Sequence, residues 1–129
     1  MLDKADLMGE HDHMTFEIYI TFKRIMILSP RDFMCAGAMV RFEDGTIVLP
    51  TFSYDRDDRP ATKAFVRAQL HIGGWVIRPI DQDNTLCYYY NRADMKGSLP
   101  AFIMKQGASI QALLISKLRD YIVKKESGK

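Results

Sequence analysis

From Phe16 onward the chain alternates: Phe16, Ile18, Ile20 and Phe22 are apolar, and Glu17, Tyr19, Thr21 and Lys23 carry polar groups. A period of two marks a strand with one buried face. The alternation ends at Ser29-Pro30, because proline offers no N–H to a ladder and holds its predecessor extended. A second strand is predicted over roughly 33–42, closed by Glu43-Asp44-Gly45. Asp-Gly between two β-rich runs predicts a hairpin, since glycine supplies the positive φ of the turn. The return strand is "TIVLPTFSY", 46–54, where Pro50 implies an edge or a bulge. Beyond the charged loop "DRDDRPAT", residues 63–72 and 75–80 read as two strands turning at Gly73-Gly74. "DQDN" turns again, and "TLCYYYNRA", 85–93, is the last strand.

Residues 1–15 show no clean period and read as an irregular lead-in. At the other end the period changes to that of a helix, over roughly 99–125. Ser98 is a candidate N-cap with Pro100 in the first turn. Ile103, Gly107, Ile110, Leu114, Leu118, Tyr121 and Ile122 fall on one face. Gly107, costly inside a helix, predicts a kink or a close approach there. The expected architecture is α+β: a curved antiparallel sheet of about six strands, residues 16–93, gripping one long C-terminal helix.

Composition narrows the function. The chain has 129 residues, the size of one domain, and 18 basic against 16 acidic residues give a net charge of +2. That balance excludes a dedicated nucleic-acid surface. No apolar run reaches the length of a membrane span. Cys35 and Cys87 lie far apart with no Cys-x-x-Cys unit, so both read as thiols in a reducing, cytoplasmic setting.

Each candidate for chemistry has a plainer reading. His11-Asp-His13 supplies two ligands and no third, so no metal is expected. Cys35, Cys87 and His71 sit in predicted strands, where buried cysteine is ordinary. Arg56, Asp57, Asp58 and Arg59 read as a solvated loop. Along Tyr88-Tyr89-Tyr90, Tyr88 and Tyr90 share one side and Tyr89 takes the other. No phosphate loop, catalytic triad or paired-carboxylate helix is present, so no enzyme and no cofactor are expected. A sheet with a wide apolar helix can enclose a ligand, and it can equally dock a protein.

Several words in order sharpen this reading: "SPRDF" (29–33), "EDGTIVL" (43–49), "FVRAQLHIGGWVIRPI" (65–80), "ADMKGSLPAFI" (93–103) and "LRDYI" (118–122). Together they resemble the C-terminal part of the StAR-related lipid-transfer (START) domain. The resemblance implies a helix-grip fold around an apolar tunnel, and the binding and transfer of a lipid between membranes without catalysis. It assigns lid positions to Ile103, Met104, Gly107, Ile110 and Leu114. We add Tyr88 and Tyr90 to the expected lipid-binding set, and Arg31 and Asp32 as the residues of a structural corner. The implied partners are a lipid and, transiently, a membrane surface.

The chain departs from the family in two ways. It covers about the last three-fifths of a domain of roughly two hundred residues, so the expected sheet is open at an edge that invites a homodimer. The alternative function is therefore an interaction or dimerisation module. The second departure is Gly37, which stands where many members place a tunnel arginine paired to an acid. Its absence implies a more apolar tunnel. A catalytic branch of the same superfamily would need an acid or base in the cavity, and no residue stands out for that role.

Overall fold

A computed structural model describes residues 2–11, 14–24 and 26–128. Among the described residues eight strands form one sheet: β1 (Leu2–His11), β2 (Thr15–Phe22), β3 (Arg31–Ala38), β4 (Val40–Arg41), β5 (Ile47–Ser53), β6 (Val66–Arg67), β7 (Gln69–Pro79) and β8 (Thr85–Asp94). Their order is β1-β2-β3-β5-β7-β8, with β4 on β5 and β6 on β3. All pairs are antiparallel except β3 with β6. Two helical segments follow, α1 (Ala101–Ala112) and α2 (Leu114–Ser127).

Four sequence expectations change. The lead-in is a strand: β1 pairs with β2 along its whole length, with bulges between Leu2 and Lys4 and between Leu7 and Gly9. Those bulges break the period of two, and this hid the strand. Gly73-Gly74 is the middle of β7 and makes no turn. Gly74 has φ of 141°, and a Cβ there would overlap the Leu49 carbonyl, so the pair admits a close backbone approach. The helix bends at Leu113 rather than Gly107. Leu113 donates its N–H to the Ile110 carbonyl at 3.2 Å, an i−3 bond that tightens the turn between α1 and α2. Pro100 occupies the N-cap position of α1 with no side-chain cap bond, so Ser98 lies outside it. The Asp-Gly hairpin forms as expected: Gly45 has φ of 85°, and Asp44 accepts the Thr46 N–H at 2.9 Å.

Cross-strand partners share a face, so register assigns every strand residue to one of two sides. Phe16, Ile18, Ile20 and Phe22 pair with Gly37, Cys35, Phe33 and Arg31. Phe33, Cys35 and Ala68 form the buried cluster, and Ile18, Ile20, Phe22, Leu70 and Met95 pack on it. We call this side the core face. Tyr19, Thr21, Asp32, Met34 and Ala36 point to the outer face.

The Pro-Arg-Asp corner sends its two charges to opposite faces. On the core face Arg31 donates to the carbonyls of Ser29, Met95 and Lys96, at 2.6, 3.2 and 3.0 Å. It thereby ties the chain leaving β8 to the start of β3. On the outer face Asp32 is fully buried. Arg67 grips it with two bonds, Nε to Oδ1 at 2.9 Å and Nη2 to Oδ2 at 3.0 Å. The Tyr19 hydroxyl adds a third bond at 2.7 Å. Arg67 also reaches the Arg59 and Pro60 carbonyls, and the Arg59 guanidinium lies 5.1 Å over the Tyr19 ring.

Removing one member of a buried pair strands the other charge. We expect Arg67→Met to cost about 3–5 kcal/mol by urea denaturation, and Asp32→Asn with Arg67→Met together to cost less than Arg67→Met alone. Burial and the bond to Asp32 hold the Tyr19 pKa above its ordinary value. The folded state thus favours the neutral phenol. That stabilisation is present below pH of about 10 and is lost as pH rises through the folded value. A melting temperature that stays flat above this pH would contradict the assignment.

Candidate functional site

Register carries the core face across the whole sheet. Cys35 and Gly37 pair with Ser53 and Thr51 on β5, Leu49 pairs with Trp75 on β7, and Trp75 pairs with Tyr89 on β8. Ile47, Ile77 and Cys87 continue the same side. The result is an apolar wall whose aromatic centre is Trp75 on Tyr89, with ring centroids 4.9 Å apart. Its residues on β5, β7 and β8 are half-buried rather than packed away. A half-buried apolar face is what a hydrophobic ligand can cover.

Polar groups on the wall are few and engaged. Ser53 Oγ accepts the Leu70 N–H at 2.8 Å and lies 3.8 Å from the Cys35 sulfur. Burial, ahead of other effects, pushes the Cys35 thiol pKa up. From β2 to β8, among the described residues, Arg31 and Arg41 are the charged residues that register places on this face; the Arg31 donors are turned to carbonyls, and Arg41, opposite Ile47, is exposed at the end of β4. Gly37 stands on the wall beside Cys35, and the Phe16 ring fills the space over it so that a Cβ would overlap the ring. A phenyl group therefore occupies the place where a polar anchor would project.

The helix presents a matching stripe. Ile103 is buried, and Gly107, Ile110, Leu114 and Leu118 are half-buried at helical spacing. Met104, placed with them from sequence, points away and is 61% exposed. Tyr121 and Ile122 are also exposed. α2 approaches β8, and among the described residues α1 comes close to no strand backbone.

Tyr88 and Tyr90, expected to bind lipid, lie elsewhere than on this wall. They pair with Val76 and Gly74, which puts both on the outer face, away from the Phe33 cluster. Tyr89 is the residue of that triplet on the wall. The alternation was readable in the sequence, but its sign depends on register through β5 and β7. Trp75 and Tyr89 were missed for the same reason. A concavity of about 340 Å³ is lined by Thr15, Glu17, Ala36, Ala38 and Phe52 of the outer face together with Phe16 and Gly37. Beside it Glu17 accepts from the Tyr54 hydroxyl and pairs with Arg56 at 3.1 Å.

The described residues form no group of three or more His, Cys, Asp or Glu that could hold a metal. Of the His11-Asp-His13 pair, Asp12 and His13 lie outside the described residues. No described helix is long and apolar enough to cross a membrane.

Residues 4–124 match the family model of the START domain. No curated protein is a significant sequence match. Among solved structures, human StAR-related lipid transfer protein 5 superposes with a TM-score of 0.71 at 22% identity, over 81% of this chain and 51% of that one. Human STARD10 gives 0.77 at 18% identity, over 90% and 47%. A StAR-related lipid transfer protein fragment from Xanthomonas axonopodis gives 0.64 at 23% identity, over 83% and 59%. The chain thus spans about half the length of the two human structures. At these identities the likeness establishes the fold: a curved antiparallel sheet with a bent C-terminal helix, the helix-grip arrangement.

The two thiols offer a check on the wall. Cys35 is fully buried with a raised pKa, and Cys87 is half-buried. We expect a thiol reagent to modify Cys87 in the folded protein and Cys35 only on unfolding. Equal rates at both would place Cys35 wrongly.

Proposed function

The chain belongs to the START domain family, and from that premise we propose that it binds a lipid against its core face and carries it between membranes without a covalent step. The observation that carries this reading is the half-buried apolar wall from Ile18 to Tyr89, together with the helix stripe Ile103, Gly107, Ile110 and Leu114, which is less exposed than the rest of its segment. Covering such a wall yields about 25 cal/mol per Å² of apolar surface. With Phe16 over Gly37, the Arg31 donors turned to carbonyls and Arg41 out at the exposed end of β4, the middle of the wall favours acyl chains over a ligand that needs a buried ion.

Transfer also needs contact with a bilayer. Phe102, Met104, Tyr121 and Val123 are each more than half exposed on the helix. Lys105, Lys117, Arg119, Lys124 and Lys125 outnumber Asp120 and Glu126 on the same segments. Exposed apolar groups among cations suit a helix that rests on an anionic lipid surface. The bend at Leu113 gives α2 a place to move relative to α1, which opens and closes the wall. The free thiols Cys35 and Cys87 fit action in a reducing compartment such as the cytoplasm.

The test is extraction of labelled phospholipid from vesicles, read beside native mass spectrometry of the purified protein. We expect a protein–lipid adduct. Leu114→Arg should reduce extraction about tenfold or more, because a charge then faces the wall, with the circular dichroism of the sheet retained. Gly107→Val should act in the same direction. Unchanged extraction by both variants would remove the helix from the site.

A further inference from the structure

Side chains on a strand ordinarily stand away from the sheet, and Phe16 does not. Its partner across the gap between β2 and β3 is Gly37. A Cβ on Gly37 would overlap Cζ of the Phe16 ring and stand 2.8 and 2.9 Å from Cε2 and Cε1, which places that point over the face of the ring. The phenyl group therefore lies down across the gap with its face on the Gly37 backbone. Unlike Gly45, Gly74 and Gly97, Gly37 does not have a positive φ, so backbone conformation does not account for a glycine here. What the missing side chain provides is room for the ring. β2 is paired on both sides, by β1 and β3, and β3 by β2 and β5, so the contact is fixed by these strands and owes nothing to the surroundings of β8.

The same cross-strand row continues through Thr51 on β5 and Gly73 on β7. Leu70 covers Gly73 much as Phe16 covers Gly37: a Cβ there would stand 3.1 and 3.3 Å from the two Leu70 methyl groups. The two covers differ in freedom. Leu70 packs on the Phe33 cluster, and Ser53 Oγ holds its N–H at 2.8 Å. Phe16 is half-buried, lies outside that cluster and sits one residue from the start of β2. Of the two, Phe16 is the side chain that a rotation about χ1 can raise from the wall.

We propose that Phe16 determines lipid specificity by its height above the wall. Lying flat on Gly37, it leaves the depth that a kinked acyl chain needs; raised, it leaves room for a straight chain only. The inference rests on the lipid reading and adds which residue sets the cross-section of the ligand. An apolar surface discriminates by shape, because it has no hydrogen bond to withhold. A ring displaced from Gly37 takes space above the wall that the ligand would otherwise fill, since packed groups cannot share it.

The test supplies fluid vesicles with equal traces of labelled distearoyl and dioleoyl phosphatidylcholine, which share a chain length and differ by one cis double bond per chain. The ratio in which the purified chain extracts them does not depend on how much of the protein is folded. Gly37→Ala props the ring up and should lower the dioleoyl-to-distearoyl ratio about fivefold. Phe16→Ala deepens the wall and should raise the ratio. Gly37→Ala added to Phe16→Ala should change it no further, because the ring that transmits the effect is gone. A ratio that Gly37→Ala leaves unchanged overturns the proposal. So does an equal fall with and without the ring, which would assign the effect to the added methyl group. In the wild-type spectrum the ring current of Phe16 should hold a Gly37 α-proton upfield of its position in Phe16→Leu, and equal positions overturn the flat geometry. Extraction of neither lipid by the wild-type chain removes the proposed function and this inference with it; extraction at one fixed ratio by every variant removes this inference alone.

Discussion

A carboxylate with no exposure to water sets the terms for this fold. Asp32 is stable as a buried charge only while Arg67 and Tyr19 hold it, and those two residues lie on β6 and β2. The pair is not a strong net stabiliser, because desolvation offsets much of its attraction. Its effect is positional. It fixes the short parallel strand β6 against β3, and through the Arg59 and Pro60 carbonyls it fixes the long loop that returns to it. Arg31, one residue away, faces the other side and fastens the segment from β8 to α1. Alternation along a strand thus lets two adjacent charges secure both faces of the sheet.

Much of this was legible in the sequence, and the failures share a cause. Period-two patterning found β2, Asp-Gly found the β4–β5 hairpin, and Pro30 located the corner. Each is a local signal with a local cause. β1 escaped because its bulges and charges blur the period, as suits an edge strand. Gly73-Gly74 reads equally as a turn or as a close approach, and only the Leu49 carbonyl decides between them. Leu113 has no residue-level mark of a bend, whereas Gly107 has one and remains helical.

The site was legible as one face of each strand, but not which face. That sign is set by register accumulated from β3 through β5 and β7, which no short window contains. Tyr88 and Tyr90 do share a face, as alternation requires, and register puts that face opposite the Phe33 cluster. Gly37 is the reverse case. A missing side chain was visible in the sequence, and the Phe16 ring that takes its place was visible only after pairing. The wall is apolar there by substitution in space rather than by substitution in sequence.

The fastening at Arg31 also has a mechanical side. It anchors the chain just before α1, while the backbone bends at Leu113, so α2 is a lever with its fulcrum at its N-terminal end. An α-helix rises 1.5 Å per residue, which makes the 14 residues of α2 about 21 Å long. A rotation of about 10° at Leu113 then carries its far end about 4 Å, close to the width of an acyl chain, while Ile103 stays where it is. Small angular freedom at one residue is enough to shift the end of α2 by that distance without disturbing the corner that holds the sheet.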